Sequence, residues 1–387
     1  MTLVHAISMT EACSRDWDVV VIGAGPAGTV AARQLALQKR RVLLIERKAF
    51  PRYKVCGCCL NQRAISALQE IGLGDLLEES NAVPLNSFEM RFSGRAATIP
   101  LPGGLALSRA VFDERLVEAA VDAGAFFLPE TTATLQNNAE QDQTRQVKLA
   151  QQGQPSGTVT AKIVLAADGL GHPSLQHCEA FESTVSQSSR MGVGALLASD
   201  NLSDYPTGVI HMAIHQSGYV GLVRVEDGRV NLAAAIDGDF IKQSGSPAAA
   251  VLAILKASGF PTFSEISEGS FKGTIPFTRK TIRPVGKRVF VLGDAAGYLE
   301  PFTGEGMANA IADAVAVAEL VPQGLSEWDQ SLEQTWLKKH HEITDGRLYW
   351  CRWLAQLLRL PVAVGIGLRL FHLFPAVARP IVARLNH

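Results

Sequence analysis

Three groups of residues in this chain have the types and spacing that chemistry needs. The first is Gly23-Ala24-Gly25-Pro26-Ala27-Gly28, a G-x-G-x-x-G. In such a run the first glycine turns the chain sharply, the second lets backbone approach a pyrophosphate, and the third lets a helix pack closely on a strand. Glu46 and Arg47 follow about 20 residues on, where an acid can bind ribose hydroxyls. The second group is Gly293-Asp294, followed by Pro301 and Gly304-Glu305-Gly306-Met307. A carboxylate there can accept hydrogen bonds from a polyol chain, and glycines that open a helix can turn its positive end towards a ligand. The third is Phe50–Leu60, which holds Arg52, Lys54, Cys56, Cys58 and Cys59. Cys56 can be a proton-donating thiol, a small packing residue, or half of a redox pair with Cys59, since the two form a C-x-x-C. Lys54 and Arg52 are suited to a phosphate or another anion. No second Cys or His pair stands at ligand spacing, so no metal is expected.

These groups must be positioned by regular elements. Asp18–Ile22 is a short apolar run suited to a parallel strand buried on both faces, and Arg41–Ile45 is a second. Thr29–Leu37 between them reads as a helix, so the chain opens with a βαβ unit of the usual size. Further buried strands are expected at Lys162–Ala166, closed by Asp168-Gly169, and at Arg288–Leu292, which ends at Asp294. Asn61–Leu73, Ser108–Ala123 and Gly306–Leu320 read as helices, with Ser108 a candidate N-cap. Ser87–Pro100 and about Met191–Ile275 read as strands. The expected fold is α/β (α+β overall). A discontinuous Rossmann-like FAD-binding domain (17–82, 106–185 and 276–325) would carry an inserted antiparallel-sheet substrate domain (83–105 and 186–275) and a helical C-terminal segment (326–387). The strand that delivers Asp294 and the glycine turn after it point to a flavin rather than a nicotinamide as the bound dinucleotide, because Asp294 can take the ribityl chain and the helix end can face the ring.

The order and spacing of these motifs resemble the flavoprotein superfamily of para-hydroxybenzoate hydroxylase, and within it the geranylgeranyl reductase-like branch. The resemblance covers about residues 17–320. It rests on Gly23–Gly28, Glu46, Phe50–Gly57 (FPRYKVCG), Ser108-Arg109 with Asp113, Ala167-Asp168-Gly169, and Gly293-Asp294 through Met307. It implies FAD as the resident cofactor and NADPH or NADH as a transient reductant. It implies that Arg109 contacts the FAD side of the site, that Asp168-Gly169 lies near the pyrophosphate and the nicotinamide donor, and that Cys56 lies close to flavin and substrate. No second G-x-G-x-x-G is present, so the nicotinamide would dock without its own fingerprint. Geranylgeranyl reductases carry a Y-x-W-x-F-P stretch where this chain has Gly218–Arg224 (GYVGLVR), and the W-x-W-x-I-P of flavin-dependent halogenases is absent too. The expected activity is C=C reduction of a lipophilic small molecule. The alternatives are a monooxygenase acting on an aromatic or polyketide-type substrate, and a flavin electron carrier without catalysis.

Composition limits the partners. The chain has 387 residues with a net charge of −1, 47% hydrophobic and 19% charged residues, which fits a folded enzyme and argues against nucleic acid. Six cysteines, three of them in Cys56, Cys58 and Cys59, do not make a secreted disulfide framework. The first 16 residues have no basic start and no sustained apolar run, so a cytoplasmic setting is expected. Residues 346–387 hold six arginines and no acid, together with Trp350, Trp353, Phe371 and Phe374. Basic amphipathic helices of this kind suit either a cap on the substrate domain or peripheral contact with the inner face of a membrane.

Overall fold

The run Trp17–Ile22 forms the centre of a mostly parallel sheet because it is apolar on both faces and buried at five of its six positions. It pairs in parallel with Val42–Ile45 on one side (Val19 opposite Val42) and with Gly157–Ala166 on the other (Val21 opposite Leu165). The order across the sheet is Val285–Gly286, Val289–Val291, Gly157–Ala166, Trp17–Ile22, Val42–Ile45, Phe126–Leu128. A hairpin of Thr131–Leu135 and Arg145–Gln151 extends it by pairing with Gly157–Ala166. The helices Pro26–Leu37, Arg109–Asp122 and Glu305–Ser326 cover one face with a continuous apolar core. This computed structural model describes residues 6–137, 143–198, 203–300, 302 and 304–374, and of 345–350 and 352 the backbone alone.

A second sheet has the order Lys272–Pro276, Met191–Leu197, Val230–Ile236, Gly218–Arg224, Val209–His215, Ser87–Phe92, Arg95–Pro100. It is antiparallel except at one point. Val209–His215 runs parallel to Ser87–Phe92, where the early hairpin joins strands that arrive much later in the chain. The strand-rich reading of 191–275 overlooked the helices Gly238–Ser244, Pro247–Ser258 and Glu265–Glu268. Pro247–Ser258 is capped by the Ser246 side chain and packs Val251, Ile254 and Leu255 on one face of the sheet. Its many alanines blur the helical period, which is why it escaped notice. The last part of the chain forms a 28-residue helix, Gln330–Leu357, and the helix Pro361–Leu373, in which Pro361 takes a first-turn position. Pro361–Leu373 lies against the strands Ser87–Phe92 and Arg95–Pro100.

Candidate active site

A cavity of about 550 Å³ opens between the two sheets. Its polar end is assembled from the three groups singled out in the sequence. Gly25, Ala27, Lys54, Cys56, Arg109, Asp294, Gly304, Gly306 and Met307 all border it. Gly23, Gly28, Glu46, Arg47, Asp168 and Gly293 stand behind this wall, although Ala167, Gly169 and Leu292 beside them border the cavity. Pro301 lies outside the described residues.

The glycines divide by what a side chain would meet. A Cβ on Gly23 would lie 2.4 Å from the Ala167 oxygen, and one on Gly28 would lie 2.0 Å from the Gly23 oxygen. These two glycines are required by protein packing. A Cβ on Gly25 would meet only the ends of Arg109 and Arg52, at 3.8 and 3.9 Å, and one on Gly304 only the Cys59 oxygen, at 3.9 Å. Here backbone is laid open to the cavity. The helices that begin at Gly25 and Gly304 have no side-chain cap, so their first N–H groups are left for a ligand.

A chain of buried charges links the glycine turn to the cysteines. Glu46 accepts from the Ala24 N–H at 3.1 Å and from the Lys48 N–H at 3.0 Å. Arg52 lies 3.5 Å from Glu46 and 3.1 Å from Asp113, and donates to the Ala24 carbonyl. Asp113, fully buried, is gripped by Arg109 through two hydrogen bonds of 2.8 Å. Arg52 and Arg109 are thus committed to Asp113, while Lys54, which also borders the cavity, lies 3.5 Å from Asp294.

Cys56 is perturbed towards its charged form. Its Sγ accepts from the Cys58 N–H at 3.4 Å. Hydrogen bonding from the Cys58 side chain lowers its pKa, and Arg109 lowers it further by charge and by a hydrogen bond, against the opposing effect of burial. The thiolate is therefore favoured at Cys56. Its partner Cys58 is pushed the other way, well above the usual thiol range, as the donor of that hydrogen bond. Cys59 is pushed up to about 12 by burial and by the Cys56 charge. Cys58 holds a left-handed backbone (φ 57°), which turns its N–H back towards Cys56.

The second sheet fixes this segment from the far side. Asn231 donates to the Cys56 carbonyl at 2.8 Å. A Cβ on Gly194 would come within 2.6 Å of the Tyr53 hydroxyl, so the bare strand lets the 53–56 segment lie flat on it. Asn231 and Gly194 escaped the sequence reading, and Glu305, named there within the Gly304–Met307 run, takes a role the run did not suggest: its carboxylate accepts from Asn61 and Arg63. Asn61 left a signal as the N-cap of Gln62–Glu70. Asp313 also escaped it. This buried residue accepts from the Gly293 N–H at 2.9 Å and pairs with His340 at 3.0 Å, so it holds the turn that delivers Asp294.

Asp168 sits behind the glycine turn. It accepts from the Ser174 N–H at 2.7 Å and has one oxygen without a partner. Burial pushes its carboxyl up to about 6. Arg47, exposed on the neighbouring strand end, acts on it by charge alone.

A parallel sheet with ligand-facing glycine turns at two strand ends, and a second sheet closing over them, defines a two-sheet flavoprotein. The FAD binding domain family matches residues 16–343, and the chain belongs to that family. It is 28% identical to a menaquinone reductase of Mycobacterium tuberculosis, over 79% of this chain and 76% of that protein. It is 28% identical to digeranylgeranylglycerophospholipid reductase 2 of Methanopyrus kandleri, over 84% and 82%. The structure of p-nitrophenol 4-monooxygenase PnpA from Pseudomonas putida shares the fold, with a TM-score of 0.75 at 17% identity over 96% of this chain and 98% of that one. The chain is an FAD-dependent oxidoreductase with a Rossmann-type α/β fold.

Proposed function

We propose that the protein reduces a C=C bond of an elongated apolar molecule, with NADPH or NADH as the electron source. The observation that carries this reading is the two-ended cavity. Its polar end holds Lys54, Asp294, Arg109 and Cys56, and its other end is walled by Met90, Met212, Tyr219, Leu358 and Leu368. Such an arm suits an isoprenoid or alkyl chain, in keeping with the names of the relatives.

FAD supplies two-electron transfer between the nicotinamide and the substrate. The residues present fit it. The N–H groups after Gly25 would take its pyrophosphate, Glu46 a ribose, Asp294 its ribityl chain, and the helix end at Gly304–Met307 its ring. Asp168 and Arg47 would stand at the nicotinamide side. In the reaction the two alkene carbons each gain one hydrogen, one as hydride and one as a proton, and the nicotinamide leaves oxidised. Cys56 Sγ is the group at the cavity wall that would take up a proton and hand it on. Arg109 and Cys58 set its charge, and Lys54 orients Asp294.

The test is anaerobic. Flavin reduced by NADPH is mixed with menaquinone or a geranylgeranyl lipid. Reoxidation without O₂ supports the reductase. Reoxidation that requires O₂, with a hydroperoxide-type absorbance, would replace it by a monooxygenase. Reoxidation by neither would leave an electron carrier. The arginines of 346–387, with no acid among them, extend the proposal to contact with an anionic membrane surface. Among the described residues no helix is long and apolar enough to cross a membrane.

A further inference from the structure

The helix Pro361–Leu373 is apolar on two sides. Val364 and Leu368 face inward, buried, and Gly365 lies so near the sheet that a Cβ there would be 3.0 Å from the Arg95 guanidinium. On the other side Val362, Ile366 and Leu373 are 75%, 55% and 67% exposed, and Leu360, Leu370 and Phe374 are exposed with them. The spacing of 362, 366 and 370 places these side chains in one stripe. A charged outer face is the rule for a helix packed on a domain. Here the outer face is apolar as well. Arg369 flanks it, exposed, and no acid occurs from 346 to 387.

The same helix forms one wall of the cavity. Ala363, Gly367, Leu370 and Phe371 border it, as does Trp353 of the preceding helix. Leu370 and Trp353 are also exposed, so the apolar arm of the cavity opens onto the apolar stripe. We propose that this face inserts into the acyl boundary of a lipid bilayer and that the cavity mouth at Trp353 and Leu370 opens into the hydrocarbon, so that an apolar substrate passes from membrane to active site without crossing water. The inference rests on the reading of the cavity as the seat of an apolar substrate. The occupant is a bilayer because the stripe is flanked by Arg369, has no acid within its own segment 346–387, and is continuous with a cavity wall of the same chemistry.

The experiment uses the full-length holoprotein and vesicles of phosphatidylethanolamine and phosphatidylglycerol. Wild type is expected to float with these vesicles. Lipids brominated on their acyl chains are expected to quench its tryptophan emission, and Trp353→Phe should lose most of that quenching. Val362→Glu with Ile366→Glu changes two outward side chains, and is expected to cut vesicle binding roughly tenfold or more while the flavin spectrum stays unchanged. Flotation of the Glu variant like wild type would overturn the proposal. So would equal quenching in wild type and Trp353→Phe, because Trp353 at the mouth would then make no contact with the brominated acyl chains. Wild type that stays off vesicles and forms a dimer which the Glu variant breaks would assign the face to a second copy. None of these readouts requires turnover, so failure of the reductase reading, seen as no anaerobic reoxidation by any lipid, is recorded separately.

Discussion

At Cys56 burial opposes ionisation, while Cys58 and Arg109 favour it, and the hydrogen bonds and the charge prevail. The alkylation rate of Cys56 by iodoacetamide, mapped by mass spectrometry, should therefore have its midpoint well below the ordinary thiol value of about 8.5. In Arg109→Met the midpoint should rise; an unchanged midpoint would remove Arg109 from the account. The sign for stability follows. A lowered folded pKa adds stability that is full above about 8.5 and is lost as pH falls through the lowered value. Cys56→Ser should accordingly lose less stability on acidification than wild type, by urea melts at several pH values. The glycines make a second residue-scale contrast. Gly25→Val should fold and lose FAD, because its Cβ points into open cavity. Gly23→Val should not fold, since its φ is +102° and its Cβ would meet the Ala167 backbone at 2.4 Å. Flavin absorbance and circular dichroism read the two outcomes apart.

At the scale of elements the site depends on ties between the two sheets. Arg190, fully buried at the start of Met191–Leu197, donates to Glu300 at 2.7 Å and to the Gln216 carbonyl, and so joins the second sheet to the loop before Gly304. Glu226, in the turn after Gly218–Arg224, accepts from both the N–H and the hydroxyl of Ser108, the cap of the helix that carries Arg109. Arg190→Met would leave the Glu300 carboxyl buried without its cation, at a cost of about 3–5 kcal/mol. Arg190→Met with Glu300→Leu should recover much of that loss in urea denaturation. A double variant no more stable than Arg190→Met would show that the pair is not what holds the loop. The sequence carried none of these ties, because each partner is an ordinary charged residue in its own neighbourhood. Arg190 and Glu300 are 110 positions apart, and only the sheet order brings them together.

For the whole molecule, the glycine turns, the cysteine segment and the second sheet all border one cavity, so a ligand there binds a surface that exists only when both sheets are folded. FAD should therefore raise the melting temperature in a concentration-dependent way, by an amount equivalent to about 2.7 kcal/mol at a hundred times its Kd. A melting curve indifferent to added FAD, after the flavin has been stripped, would argue against a cofactor site between the sheets.

The sequence by itself determined the βαβ opening, the strand that ends at Asp294, the glycine turns and the FAD-binding class. Each of these is a local pattern whose periodicity or turn chemistry is complete within about 30 residues. Tertiary structure alone decided the rest. It committed Arg52 to Asp113 and left Lys54 facing the cavity. It set Asn231 on the Cys56 carbonyl from 175 positions away. It also made the helix Pro361–Leu373 a cavity wall with an apolar outer face. The physical reason is that side-chain charge and burial at the site are set by non-local packing, which depends on the order of strands in the two sheets, and that order is not a property of any one segment.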